Sequence, residues 1–229
     1  MSTNLSWLAV LMATDAPALP APWVMQLGLS MGWALVLALL GAGLTWRLSL
    51  NVRRVTALVF GAWTLVPGPF SPDYWLGLAF HAPSLTATLL CGWGLQRLLF
   101  AVSGSLSAVQ PGFLRAQSPT WLLMVLPVLL GYALLLDTFA VLPLPLYVWG
   151  FSPALLIIML VLGLLPWMGR GRIESGVISG RWIAPGALLL FVITRLPTGN
   201  LWDALMDPWL WLILQWLLVR GLYRQWRAR

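Results

Sequence analysis

Between Trp121 and Arg172 the chain holds two long uncharged runs joined by one acidic turn. Trp121 to Leu136 carries no charge. Asp137 opens a proline-rich turn, Leu142-Pro143-Leu144-Pro145-Leu146. Tyr147 to Met168 is again uncharged, and Arg170 and Arg172 end it. Two apolar segments of near-membrane length, reversed by an acidic aromatic turn and stopped by arginines, describe a transmembrane helical hairpin. A chain containing such a hairpin has few folds open to it, because in hydrocarbon every backbone group must be paired within the protein.

Composition extends this reading to the whole chain. Of 229 residues, 60% are hydrophobic and 8% are charged, against about 25% charged in a soluble domain. A water-exposed surface cannot be built from so few charges. At roughly 20 residues per span, the length allows about seven helices in one bundle and leaves no room for a sizeable domain outside the bilayer. The expectation is an all-α, polytopic integral membrane bundle. It divides into an external or interfacial segment (1–22), a single transmembrane helical domain (23–223) and a basic cytoplasmic tail (224–229). Asp15 and the absence of an early positive stretch argue against a cleaved leader.

Taken in order, the first span runs from about Trp23 to Trp46, with a tryptophan at each end, as expected of residues that prefer the interface. It contains Gly28-x-x-x-Gly32, small residues that permit close helix contact. The second, Val55 to Val66, is short and ends at Pro67-Gly68-Pro69; a loop from Phe70 to Pro83 follows. The third covers Ser84 to Val102. The hairpin supplies the fourth and fifth. The sixth, Trp182 to Leu196, is short and contains Pro185. A turn from Pro197 to Pro208 leads to the seventh, Trp209 to Tyr223. If one of the two short spans is re-entrant, the number falls to six.

The net charge of +7 comes from 13 basic residues, all of them arginine. All but Arg195 fall in alternate loops or in the span ends that feed them. Asp15, Asp73, Asp137, Asp203 and Asp207 fall in the others. Positive residues mark the cytoplasmic side, which places the amino terminus outside and the carboxyl terminus inside. Anionic headgroups on the cytoplasmic side are then the natural partners of the arginines, and nucleic acid is not. Cys91 is the only cysteine, so no internal disulfide or cysteine metal cluster forms.

Arg195 is the most informative residue, because it lies at the outer end of the sixth span, against the rule. A charge near hydrocarbon needs a partner, a polar cavity or a route to the headgroups. Asp137, Asp203, Asp207, Asp73 and the single histidine, His81, are expected at similar depth. Together with Arg195 they form a candidate outward-facing polar pocket. Gln96 and Arg97 sit near the inner end of the third span, where Arg97 can snorkel. Gln215, in the middle of the seventh, needs a bond from a neighbouring helix.

Several chemistries are excluded. There is no lysine for a retinal Schiff base, no glycine-rich phosphate loop, no G-x-S-x-G elbow and no H-E-x-x-H pair. No metal site or cofactor is expected. The leading expectation is a polytopic inner-membrane protein that acts as a non-catalytic subunit or accessory factor, packing against partner membrane proteins or lipids. The alternatives are a small transporter or channel component with an outward vestibule, and an enzyme acting on a lipid-linked or quinone-type substrate. The arginine-only basicity and alternating sidedness resemble bacterial inner-membrane proteins as a class.

Overall fold

A computed structural model describes residues 11–14, 18–100, 120–168 and 182–227. The second and third basic loops and most of the amino-terminal segment lie outside them. The described residues form helices and turns, with no strand among them. The helices are α1 (Pro22–Leu44), α2 (Leu50–Ala62), α3 (Pro72–Phe80), α4 (Leu85–Phe100), α5 (Thr120–Thr138), α6 (Leu146–Trp149), α7 (Pro153–Met168), α8 (Ile183–Thr194), α9 (Leu201–Leu205) and α10 (Pro208–Arg227). The all-α expectation holds. Among the described residues, α1 is the one helix long and apolar enough to cross a membrane; Val125–Thr138, Pro153–Leu164 and Ile183–Thr194 are shorter apolar stretches.

Three short helices are not expected from the sequence, two in expected loops and one at the start of the expected fifth span. α3 occupies the expected loop from Phe70 to Pro83, α9 the turn before α10, and α6 runs from the last residue of the proline-rich turn into the expected fifth span. The expected fifth span from Tyr147 is interrupted at Gly150-Phe151-Ser152, and its apolar helix begins at Pro153. Proline cannot donate a backbone bond and biases Ser152 away from helix, so a new helix starts there. Tyr147 therefore belongs to the turn and not to the apolar helix. α2 begins at Leu50, earlier than Val55, because Ser49 caps it by accepting from the Val52 amide.

α1 and α4 form the centre. α2 and α3 pack on α1, α8 and α9 pack on α4, α7 lies against α8, and α10 pairs with α5. Small residues make these approaches possible. Ala38, Ala42 and Ala57 close the α1–α2 seam and are almost fully buried. Gly41 faces Phe60, and Gly61 faces Ala38. A second core gathers Leu85, Ala187, Leu188, Phe191, Leu201 and Ala204.

Many bulky apolar side chains lie outside, beside the few, such as Phe191, Leu188 and Leu201, that are buried. Leu58 is 72% exposed, Ile193 71% and Val219 64%, whereas Ala42, Ala187, Ala204, Ser84 and Asn200 are completely buried. The described interior mixes small and polar residues with large ones such as Phe191 and Trp33, and the exterior is largely branched and apolar.

Candidate functional site

The contacts define two poles. At one, Arg53 donates to the carbonyls of Leu98 (3.0 Å) and Trp46 (2.6 Å), and Arg54 donates to the carbonyl of Leu99 (2.9 Å). Two guanidinium groups thus satisfy carbonyls in the last turn of α4, where the helix dipole favours positive charge. Sequence reading gave these arginines an orienting role only. Their capping role joins residues 45 positions apart, which no local pattern reveals. Arg97 rests on the ring of Trp93, 4.2 Å from its centroid. Gln96 is half-buried on the same helix.

At the other pole every described aspartate is held by neutral donors, and each joins two segments. Asp73, nearly buried in the first turn of α3, accepts from Ser30 of α1 at 2.5 Å and from Ser71. Asp137 accepts from the Tyr147 amide at 2.7 Å. Asp203 accepts from the phenol of Tyr147 at 2.8 Å and from Thr198. Asp207 accepts from the Leu210 amide (2.7 Å) with one oxygen and from the Ser84 amide (2.9 Å) and hydroxyl (2.7 Å) with the other. One carboxylate therefore serves the first turns of both α10 and α4, the favoured place for negative charge on a helix.

Asn200 is fully buried and closes the same layer. Its amide donates to the Tyr147 carbonyl at 2.9 Å and accepts from the Trp202 amide at 2.9 Å. The Leu201 amide donates to the Gly150 carbonyl, and the Trp202 indole to the Leu146 carbonyl, both at 2.9 Å. Gly150 is required here because a Cβ would fall on the Asn200 side chain. This α6–α9 clasp was not anticipated, although Asn200 directly before an apolar turn is a helix-start signal.

Burial raises the Tyr147 phenol pKa, and the hydrogen bond to and charge of Asp203 raise it further, against a smaller opposing effect of Thr198. Because the folded value lies above the ordinary one near 10, Tyr147 stabilises the fold fully below about pH 10, and that contribution declines as pH rises beyond it. Tyr147→Phe should lack this alkaline loss. A pH series of unfolding midpoints from pH 8 to 11 measures the difference, and parallel profiles for the two proteins would refute it.

His81 ends α3 with a positive φ of 59°. Its carbonyl accepts from the Trp33 indole at 2.9 Å, and its side chain is exposed. Gln215 accepts from the Tyr132 hydroxyl at 2.9 Å, across the α5–α10 contact, while its buried amide nitrogen has no partner. The Trp211 indole donates to the Val128 carbonyl in the same contact.

Arg195 stands apart from the aspartates. Its backbone bonds to Phe191 and Gly199, but no hydrogen bond or ion pair joins its guanidinium to Asp73, Asp137, Asp203, Asp207 or any other described residue. Its guanidinium lies 5.3 Å from the ring centroid of Phe191. It is half-buried and occupies the left-handed backbone region at the end of α8, with φ 58° and ψ 20°. It lines a groove of about 590 Å3 between the first half of α1, the turn at Pro83 and the end of α8. Gly28 and Gly32 face that groove; a Cβ on them would lie 2.7 Å from Leu196 and 3.0 Å from Pro83 respectively. Of the lining residues only Arg195 is charged, with Thr88 and Thr194 polar.

The expected polar pocket thus divides into a set of carboxylates committed to neighbouring segments and one cation in an apolar groove. Among the described residues, no group of three or more histidine, cysteine or acidic side chains could hold a metal ion. Compared with known protein families, curated proteins and solved structures, the chain shows no match.

Proposed function

We propose that the chain is a multi-pass protein of the inner membrane, acting as a non-catalytic subunit or accessory factor that packs against partner membrane proteins or lipids. The observation that carries this reading is the exterior: leucine, isoleucine, valine and tryptophan face out along the described helices, while alanine and glycine at several helix contacts allow close approach beside a core that also holds Phe191 and Leu188. Helices associate in lipid through small residues, and a water-exposed apolar surface of this extent would drive aggregation. In this reading α1, α2, α4, α5, α7, α8 and α10 cross the bilayer, and α3, α6 and α9 line the outer face. The 13 residues of α2 and 12 of α8 reach roughly 18–20 Å at 1.5 Å per residue. That is short of a hydrocarbon core about 30 Å thick, so re-entry of one of them would leave six crossings. The amino terminus lies outside and the carboxyl terminus in the cytoplasm.

The committed aspartates support a structural role over a catalytic one, since each already holds two parts of the chain together. A transport role draws less support, because the groove has apolar walls and lies beside the acidic pole only.

Two experiments test this. In a Cys91→Ser background, Thr198→Cys should react with an impermeant maleimide added to intact cells, and Arg224→Cys only after permeabilisation. Labelling of both from one side would end the multi-pass map. Native purification should retain partner chains, and recovery of the chain alone would remove the subunit role while leaving the topology standing.

A further inference from the structure

We infer that the groove beside α8 is a binding site for an anionic phospholipid, with the phosphate on Arg195 and an acyl chain along the apolar walls. This rests on the multi-pass reading and names the class of lipid that one site would take. Three independent features converge on it.

The first is the shape and chemistry of the groove. About 590 Å3 of space is walled by side chains such as Leu27, Met31, Leu190 and Ile193, and Arg195 is the one charge among its described lining residues. Such a space suits a hydrocarbon chain tipped by one anionic group and offers little to a polar solute.

The second is charge. The described aspartates at this pole are bonded elsewhere, so no described carboxylate compensates Arg195. A guanidinium carries five donors in a planar fork that matches phosphate oxygens. Beyond its contact with the Phe191 ring, no described residue takes those donors. A net-negative headgroup neutralises the charge, whereas a zwitterionic one brings its own cation and leaves the site with a smaller gain.

The third is the backbone. Arg195 holds a left-handed conformation that glycine adopts freely and other residues adopt at a cost. Such strained positions collect at ligand sites, which agrees with a side chain used for binding here.

The full chain, purified in a neutral maltoside detergent, should be titrated with phosphatidylglycerol and with phosphatidylcholine of identical acyl chains, read by native mass spectrometry. The expected result is a preference of roughly tenfold for phosphatidylglycerol. Arg195→Gly should reduce that preference to within about twofold while the unfolding midpoint stays level or rises, since glycine relieves the backbone. Arg195→Lys should retain part of the preference, as a point charge without the fork. Leu27→Trp, which fills the groove from a half-exposed position, should weaken both lipids together. Equal binding of the two lipids, as expected of an arginine that merely reaches the interface, would overturn the proposal. So would a preference that survives Arg195→Gly. Failure here with correct maleimide labelling would discard the site alone; failed labelling would discard the topology beneath it.

Discussion

Asp207→Ala should be the most destabilising single substitution among the four described aspartates, lowering stability by about 3 kcal/mol. Bonds to a charged acceptor contribute about 1.5–3 kcal/mol each, and an orphaned buried donor costs about 1–3 kcal/mol. The substitution removes the acceptor for the Leu210 amide and for both donors of Ser84, which is completely buried. The sum is less than three full bonds, because Asp207 is only half-buried and water can reach part of the site. For a chain of this length the loss corresponds to a fall of roughly 6–12 °C in the unfolding midpoint. Asp207→Asn should recover part of this. With its carbonyl toward Ser84 it keeps two of the three bonds, and its NH2 then meets the Leu210 amide, donor against donor. Asp137→Ala removes one exposed bond and should cost under about 1 kcal/mol. Thermal unfolding of the three variants in one detergent gives the ranking. A cost at Asp207 no greater than at Asp137 would mean that the shared cap does not hold α4 and α10 together.

That double cap also marks where sequence reading stops. The helical class and the segregation of arginine from aspartate depend on runs of residues, and runs are visible in one dimension. Asp207-Pro208 is a legible helix start, and so is Ser71-Pro72-Asp73 before α3. From sequence α3 nonetheless reads as loop, because its nine residues are too few to stand out beside apolar runs more than twice as long. What no local pattern contains is the pairing of Asp207 with Ser84, 123 positions away. The aspartates, placed together as a pocket because they share a depth, turn out to be divided among separate seams. Arg195 was legible as an anomaly because its sign conflicts with its side of the chain. The groove around it was not, since its walls come from α1, the Pro83 turn and α8, and none of these is unusual alone. Gly28 and Gly32 were legible as a close-contact face, but not that Leu196 and Pro83 are what they meet.

The clasp between α6 and α9 gives the second large effect, and it tests coupling more than size. Asn200→Leu keeps the branched outline with somewhat more bulk, leaves the Trp202 amide without its acceptor in a fully buried position, and leaves the Tyr147 carbonyl with the Gly150 amide alone. It should cost about 2–4 kcal/mol, toward the upper range of single substitutions. Gly150→Ala should cost about 1–3 kcal/mol by overpacking, because its methyl group would overlap the Asn200 side chain and crowd the Trp202 ring at 2.7 Å. Asn200→Ala removes the amide that the new methyl group strikes. The double variant Gly150→Ala with Asn200→Ala should therefore cost less than the two singles added together, by at least about 0.5 kcal/mol, the mark of residues that share one space. Part of the Gly150 penalty should persist, since the Trp202 ring remains. Urea or thermal unfolding of the four proteins in a common detergent closes the cycle. Strict additivity would show that the two turns move independently. The break at Gly150 would then be a local consequence of Pro153, and not the place where the two halves of the acidic pole are locked together.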